Sequence, residues 1–318
     1  MKPFRFSGSA ATSTYSARSI IEHARKAQGS GYRSLVFHDH LHAPSAPLPL
    51  LAAVATAAEQ IRIGTYVLNV DLRHPAVLAQ ELASLDVISG GRLDIGLGGG
   101  WHLAEYERIG LSFDSISERT GRLREAIEVM RGCFRDAPLT FAGKHFNIVS
   151  HESNPKPIQK PSPPLLIAGG GRRMLSLAAQ EADIVGLGPR LPPNTSRPGM
   201  DPHSITAEAT EEKLGWIRSA AGDRFNHLIL DIYPSGGWVC VTNHVKAEVL
   251  RRIEAMAERT GISLSVEEVM ESPHTFIGSI EGIARKFTEV RDRFGISSFM
   301  VGDAVEELAP VVESLAGR

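Results

Sequence analysis
The sequence predicts an α/β fold, a single TIM (β/α)8 barrel with insertions after strand four and after strand six. Three observations carry that reading. Short β-rich apolar runs alternate with helical patterns along nearly all of the 318 residues. No stretch is rich enough in linker residues to divide the chain. Repeated β-α units demand parallel strands joined by right-handed crossovers, and eight of them close into a barrel of about 250 residues. The surplus length is the insertions. A doubly wound open sheet is the rival arrangement.

The strands follow in order. Phe4, Arg5 and Phe6 start the first, which ends in small residues over 7–11, and 16–30 repeats apolar residues at helical spacing before Gly31. Strand two covers 34–37 and its helix 48–58. Strand three covers 61–70, followed by a helix over 75–88 that Pro75 opens without wasting a hydrogen bond. Strand four is 92–97, and a long helix spans about 115–134. Residues 139–148 alternate about Gly143 as a short hairpin would. Five prolines over 155–164 make an extended connector. Strand five at 165–167 leads to a helix over 172–181, and strand six at 183–187 to a Pro-rich loop over 189–202. Helix 206–221, strand 228–233, helices 245–259 and 279–294, strand 296–301 and helix 304–315 complete the chain.

Composition narrows the function. Apolar residues make up 42% and charged residues 22%, the balance of a globular protein with a large core. A net charge of −2 gives no electrostatic reason for a nucleic-acid or membrane partner. No run approaches the roughly 20 apolar residues of a membrane span, and the N-terminus has no signal-peptide pattern. Cys133 and Cys240 stand 107 residues apart, in no metal spacing. The expectation is a reduced, cytoplasmic, soluble protein.

Barrel active sites lie at the C-terminal strand ends, and the chemistry-bearing residues are sought there. Strand four ends Gly96-Leu97-Gly98-Gly99-Gly100-Trp101, and strand five Ala168-Gly169-Gly170-Gly171-Arg172-Arg173. The second opens onto a helix, so free N–H groups, the helix dipole and an arginine would face one anion. Two such clusters favour a phosphate-bearing ligand over glycines that merely relieve crowding. Trp101 offers a flat wall for a planar cofactor, with Tyr106 beside it, and Glu105 is the one carboxylate nearby.

Strand two ends His38-Asp39-His40-Leu41-His42. His-x-His can chelate zinc, but such a site needs further ligands at other strand ends. Strands four and five end in glycine, strand six in Gly186 to Gly188, and strand seven offers Asp231 alone. No metal is therefore expected. Asp39 and His40 read instead as a proton-handling pair, the alternative being a histidine that caps a backbone carbonyl. Strand three ends with Asn69 and Asp71 at the mouth, whereas Arg73 and His74 read equally well as surface residues at a helix start.

These residues resemble the luciferase-like monooxygenase superfamily, and within it the branch that uses the deazaflavin coenzyme F420. The resemblance covers nearly the whole chain as one domain over 1–318, and is strongest at SLVFHDHL (34–41), IGTYVLNVDLRHPAVLAQ (63–80), LDVISGGRLDIGLGGGW (85–101) and the stretch 163–187. It implies a TIM barrel, often a homodimer, with a non-proline cis peptide under the ring system at Tyr66-Val67 or one residue on. It implies a phosphate site at Ala168, Gly169, Gly170, Gly171 and Arg172, with Gly98, Gly99, Gly100 and Trp101 along the side chain and ring. His40 falls where related dehydrogenases keep an Asp-His pair. The glutamate that those enzymes carry after the strand-four glycines is replaced by Trp101, and Glu105 is the available substitute. The implied function is hydride transfer between F420 and an organic substrate, reducing an activated C=C or C=N bond or the reverse. An FMN-dependent monooxygenase supplied by a separate reductase, and a flavin-binding barrel without catalysis, are the alternatives.

Overall fold
The computed structural model describes residues 1–9, 16–43, 45–191, 200–234 and 238–318. In chain order the elements are β1 (Arg5–Gly8), α1 (Ala17–Gly29), β2 (Ser34–Phe37), α2 (Pro47–Ala57), β3 (Arg62–Thr65), β4 (Leu68–Asn69), α3 (Pro75–Ile88) and β5 (Leu93–Gly98). Then follow α4 (Leu103–Ile109), α5 (Ile116–Phe134), the hairpin β6 (Leu139–Ala142) and β7 (Asn147–His151), β8 (Leu165–Gly169), α6 (Arg172–Glu181) and β9 (Ile184–Leu187). The chain continues with α7 (Ala207–Ala221), β10 (Ile229–Ile232), β11 (Val239–Val241), α8 (Val245–Thr260), α9 (Val266–Glu271), β12 (Phe276–Gly278), α10 (Ile280–Phe294), β13 (Ser298–Met300) and α11 (Ala309–Leu315).

The main sheet runs β3-β2-β1-β13-β10-β9-β8-β5-β4, and β3 also pairs with β5 in parallel, Ile63 opposite Leu93. That pairing closes the sheet, and the architecture is a TIM barrel. β3 and β4 form one barrel strand interrupted at Tyr66-Val67, a non-proline cis peptide at the position the resemblance indicated. β4 resumes beside β5, with Asn69 opposite Gly98.

The described residues form two compact units. One holds 12–25 and 35–167. Both β2, from Leu35 on, and β5 are buried at every position in it and are largely apolar, with Asp94 of β5 paired to Arg62. The hairpin β6–β7 lies in this unit as expected, with Phe141 opposite Ile148. Glu125 of α5 fastens its turn by accepting the N–H groups of Lys144, His145 and Phe146. The other unit holds 1–11, 26–34 and 168–318. At its centre the rings of Phe6, Phe276, Phe287 and Phe299 pack at centroid distances of 4.1–5.8 Å.

Several elements depart from the sequence reading. The helix expected over 304–315 begins only at Ala309, because Pro310 suits a first turn and not an interior. The helices α4 and α9 and the parallel pair β11–β12 were not foreseen. Each is at most seven residues long, too short to display a period. Parts of two expected segments, 10–11 at the end of strand one and 192–199 of the Pro-rich loop, lie outside the described residues. No described helix is long and apolar enough to cross a membrane.

Lys213 of α7 is fully buried, its Nζ donating to the carbonyls of Gly188 (2.7 Å) and Ser204 (2.6 Å). Burial, with the like charge of Arg190 adding to it, pushes its pKa down to about 7, against opposing help from Asp201 and Glu212. Between pH 7 and 8.5 the unfolded chain therefore holds a proton that the folded chain sheds, so stability rises with pH in that window. Unfolding free energy should climb by about 1–2 kcal/mol across it, the ceiling being about 1.4 kcal/mol per pH unit. Lys213→Met should flatten the climb in denaturant titrations at the two pH values; an equally steep rise in the variant would contradict this assignment.

Candidate active site at the end of strand two
Beyond β2 the chain has no regular structure over 38–40 and turns at 41–42, where the Ala43 N–H donates to the His40 carbonyl. His38, Asp39 and His40 find three different partners. His38 places Nδ1 2.6 Å from the carbonyl oxygen of Tyr66, at the cis peptide, and burial holds its pKa below the ordinary range. The histidine that reaches a backbone carbonyl here is thus His38. His40 points elsewhere.

Asp39 is buried and does not orient His40. Arg73 grips both of its oxygens, at 2.6 and 3.1 Å, and the Asn69 N–H donates to Oδ2 at 3.1 Å. This corrects the Asp39–His40 pair expected from sequence. It also moves Arg73 from a surface position to a structural ion pair. His74, by contrast, is a helix-start residue, its ring accepting the Ala76 N–H as the cap of α3.

The carboxylate that meets His40 is Glu105, in the first turn of α4. It is buried, and three groups from the strand-two end converge on it. Nδ1 of His40 lies 3.1 Å from Oε2, Nδ1 of His42 lies 2.8 Å from Oε1, and the Leu41 N–H donates to Oε1 at 2.9 Å. Burial opposes ionisation of Glu105, but the hydrogen bonds and charge of these histidines outweigh it, so its carboxyl sits below the usual range. Nδ1 of His102 stands 3.8 Å from Oε2 and has no hydrogen-bond partner although it is buried. His40, His42 and Glu105 keep their donor atoms within 4.8 Å of one another. The further donors that the strand ends lack come from α4 and its cap.

Trp101 leaves 45% of its surface open and stands edge-on to His40, with ring centroids 5.4 Å apart. Tyr106, one residue beyond Glu105, is buried on the other side of α4. It donates its hydroxyl to Asp71 at 2.8 Å and receives the side-chain amide of Asn69 at 3.0 Å. Arg122 holds Asp71 at 2.8 Å and also bonds Asp114. Arg119, stacked 4.1 Å over Phe113, donates to the carbonyls of Gly99 (3.1 Å) and Gly100. Gly100 has φ +69°, and a Cβ there would lie 1.8 Å from the Tyr106 hydroxyl. Part of the first glycine cluster therefore answers to packing. Arg119, Arg122 and His102 escaped the sequence reading; the spacing His102-x-x-Glu105 was the available signal for the last.

The second cluster belongs to the other unit. Gly169 closes β8, and Gly171 is the N-cap of α6 and makes no side-chain bond to the helix. A Cβ on Gly170 would strike the Pro189 carbonyl oxygen at 2.0 Å, whereas one on Gly171 meets nothing within 4 Å. Arg172 is exposed in the first turn. An uncapped N-terminus with open space and an adjacent guanidinium fits a phosphate group. Ala168 lies within β8, one residue before Gly169.

The model of the family described as luciferase-like monooxygenase matches residues 1–222. An F420-dependent glucose-6-phosphate dehydrogenase of Amycolatopsis mediterranei (strain U-32) is 31% identical over 218 residues, covering 64% of this chain and 65% of that protein. Another so named, from Microbacterium testaceum (strain StLB037), is 32% identical over 190 residues, covering 57% and 55%. The chain thus matches less than two thirds of the length of these curated relatives. Among solved structures, the coenzyme F420-dependent tetrahydromethanopterin reductase of Methanopyrus kandleri matches with a TM-score of 0.77 at 19% identity, covering 99% of this chain and 98% of that one. The EDTA monooxygenase of Chelativorans sp. BNC1 matches with 0.76 at 15% identity, covering 98% and 94%. At such identities the structural likeness speaks for the barrel alone. With the family model spanning more than half of its length, the chain belongs to the luciferase-like monooxygenase family.

Proposed function
We propose that the protein transfers a hydride between coenzyme F420 and a small organic substrate, reducing an activated C=C or C=N bond or running the reverse oxidation. The observation that carries this reading is the His40–Glu105 pair beside the open face of Trp101 at a barrel strand end. Relatives named F420-dependent dehydrogenases support the choice of cofactor. When bound, the deazaflavin would supply or accept the hydride. The protein's part is to hold a proton nearby. Glu105, ionised and fixed by Leu41, keeps Nδ1 of His40 engaged and leaves Nε2 as the atom that gives or takes the proton.

Tyr66, Val67, Asn69, Gly98, Gly99, Gly100, Trp101 and Tyr106 would border the ring and side chain. Ala168, Gly169, Gly170, Gly171 and Arg172 would take the phosphate at the N-terminus of α6. Within this reading the chain works as one domain in the cytoplasm, as a homodimer; a separate reductase is needed only if FMN replaces F420.

Two variants test the assignment. Gly171→Asp sets a carboxylate where the phosphate would sit, in space that admits a Cβ. Like charges near 4 Å cost roughly 4 kcal/mol at an effective dielectric of 20, about three decades in affinity. The variant should melt as wild type does and fail to bind F420 in a fluorescence titration. Normal affinity would place the phosphate elsewhere.

His40→Ala should lower turnover by roughly 100- to 10,000-fold, the usual contribution of a positioned acid or base, with little change in F420 affinity. Glu105→Gln should lower it by its own factor, and the double variant should fall no further than His40→Ala, because the two act as one unit. Near-normal turnover in a folded His40→Ala protein would remove His40 from the chemistry.

A further inference from the structure
We propose that His40, His42 and Glu105, with His102 as fourth donor, form a binding site for a zinc-class divalent ion, and that filling it arrests turnover. The inhibitory half rests on the proton role given to His40; the binding half does not.

The donors come as two chelating pairs. His40-x-His42 lies on the segment after β2, and His102-x-x-Glu105 joins the cap of α4 to its first turn. Tetrahedral zinc bonds of 2.0–2.1 Å set neighbouring ligand atoms about 3.3 Å apart. Nδ1 of His40 and of His42 lie 3.2 and 2.8 Å from Oε1, close to that value, and the donor atoms of these three residues fall within 4.8 Å of one another; Nδ1 of His102 stands 3.8 Å from the other oxygen. The imidazole rings gather on one side, at centroid distances of 4.9, 5.6 and 6.2 Å.

Two features fit an ion better than a hydrogen-bonded cluster. The buried Nδ1 of His102 has no hydrogen-bond partner, which disfavours the ion-free cluster. A metal bond would satisfy it. Two further imidazoles compete for a single carboxylate, an arrangement that one cation accepting all four lone pairs resolves. The Leu41 N–H already fixes Oε1 from behind, as outer hydrogen bonds do at metal centres. Imidazole nitrogen with one carboxylate suits zinc or cobalt and not magnesium or calcium, which take oxygen. With Nδ1 of His40 and the Glu105 carboxylate both bound to metal, the pair is no longer free to deliver a proton.

The test uses the intact protein stripped of metal and titrated with Co2+, whose visible bands report tetrahedral coordination, followed by displacement with Zn2+. One ion per chain should bind, magnesium should give no signal, and His42→Ala and His102→Ala should each weaken binding by at least about tenfold. His42 is largely exposed, so its variant should keep the wild-type melting temperature. Zinc should stop wild-type turnover, while His42→Ala, measured against its own metal-free rate, should resist the same concentration. A wild-type protein without the cobalt bands, or affinities unchanged in both variants, would overturn the site. Stoichiometric binding with undiminished turnover would keep the site and overturn the proton role of His40.

Discussion
One buried carboxylate organises the mouth of this barrel. Glu105 takes the Leu41 N–H and faces His40 and His42, so the segment leaving β2 is tied to the first turn of α4. An anion removed from water is tolerated only when its oxygens are fully engaged, and here the engagement comes from three consecutive residues at the turn after β2. The same bond network decides where His40 points and sets it beside Trp101. Charge on Glu105 and placement of His40 are therefore one property. A change that neutralises the first disturbs the second.

Around this centre the other carboxylates serve as fasteners. Asp39 joins Arg73 and the Asn69 backbone, which pins the resumed part of strand three. Asp71 joins Tyr106 and Arg122, which ties the turn after β4 to α4 and α5. Arg119 holds two carbonyls of the strand-four glycine run. These bonds are made inside one compact unit, and they leave Glu105 as the acid whose partners are histidines.

Much of the fold was legible because barrel strands buried on both faces are short apolar runs, and β2 and β5 are buried at every residue. The glycine clusters and the site of the cis peptide could be located from the chain alone through the resemblance. The pairing of acids with bases could not. Asp39 and His40 are neighbours in sequence, which suggested a dyad, yet Arg73 takes the carboxylate of the first and Glu105 the imidazole of the second, each more than thirty residues away. The helix α4, seven residues long, gave no period by which Glu105 and His102 could be set on one turn. The crowding at Gly170 is likewise invisible in sequence, since it arises from Pro189.

The proposed function requires this mouth to take a deazaflavin and not FMN, since the barrel is common to both chemistries. The most direct measurement is the dissociation constant of the purified protein for oxidised F420 and, separately, for FMN under the same conditions. The prediction is tighter binding of F420 by at least about tenfold, a difference of about 1.4 kcal/mol. Equal or tighter binding of FMN would contradict it and would return the chain to the monooxygenase reading.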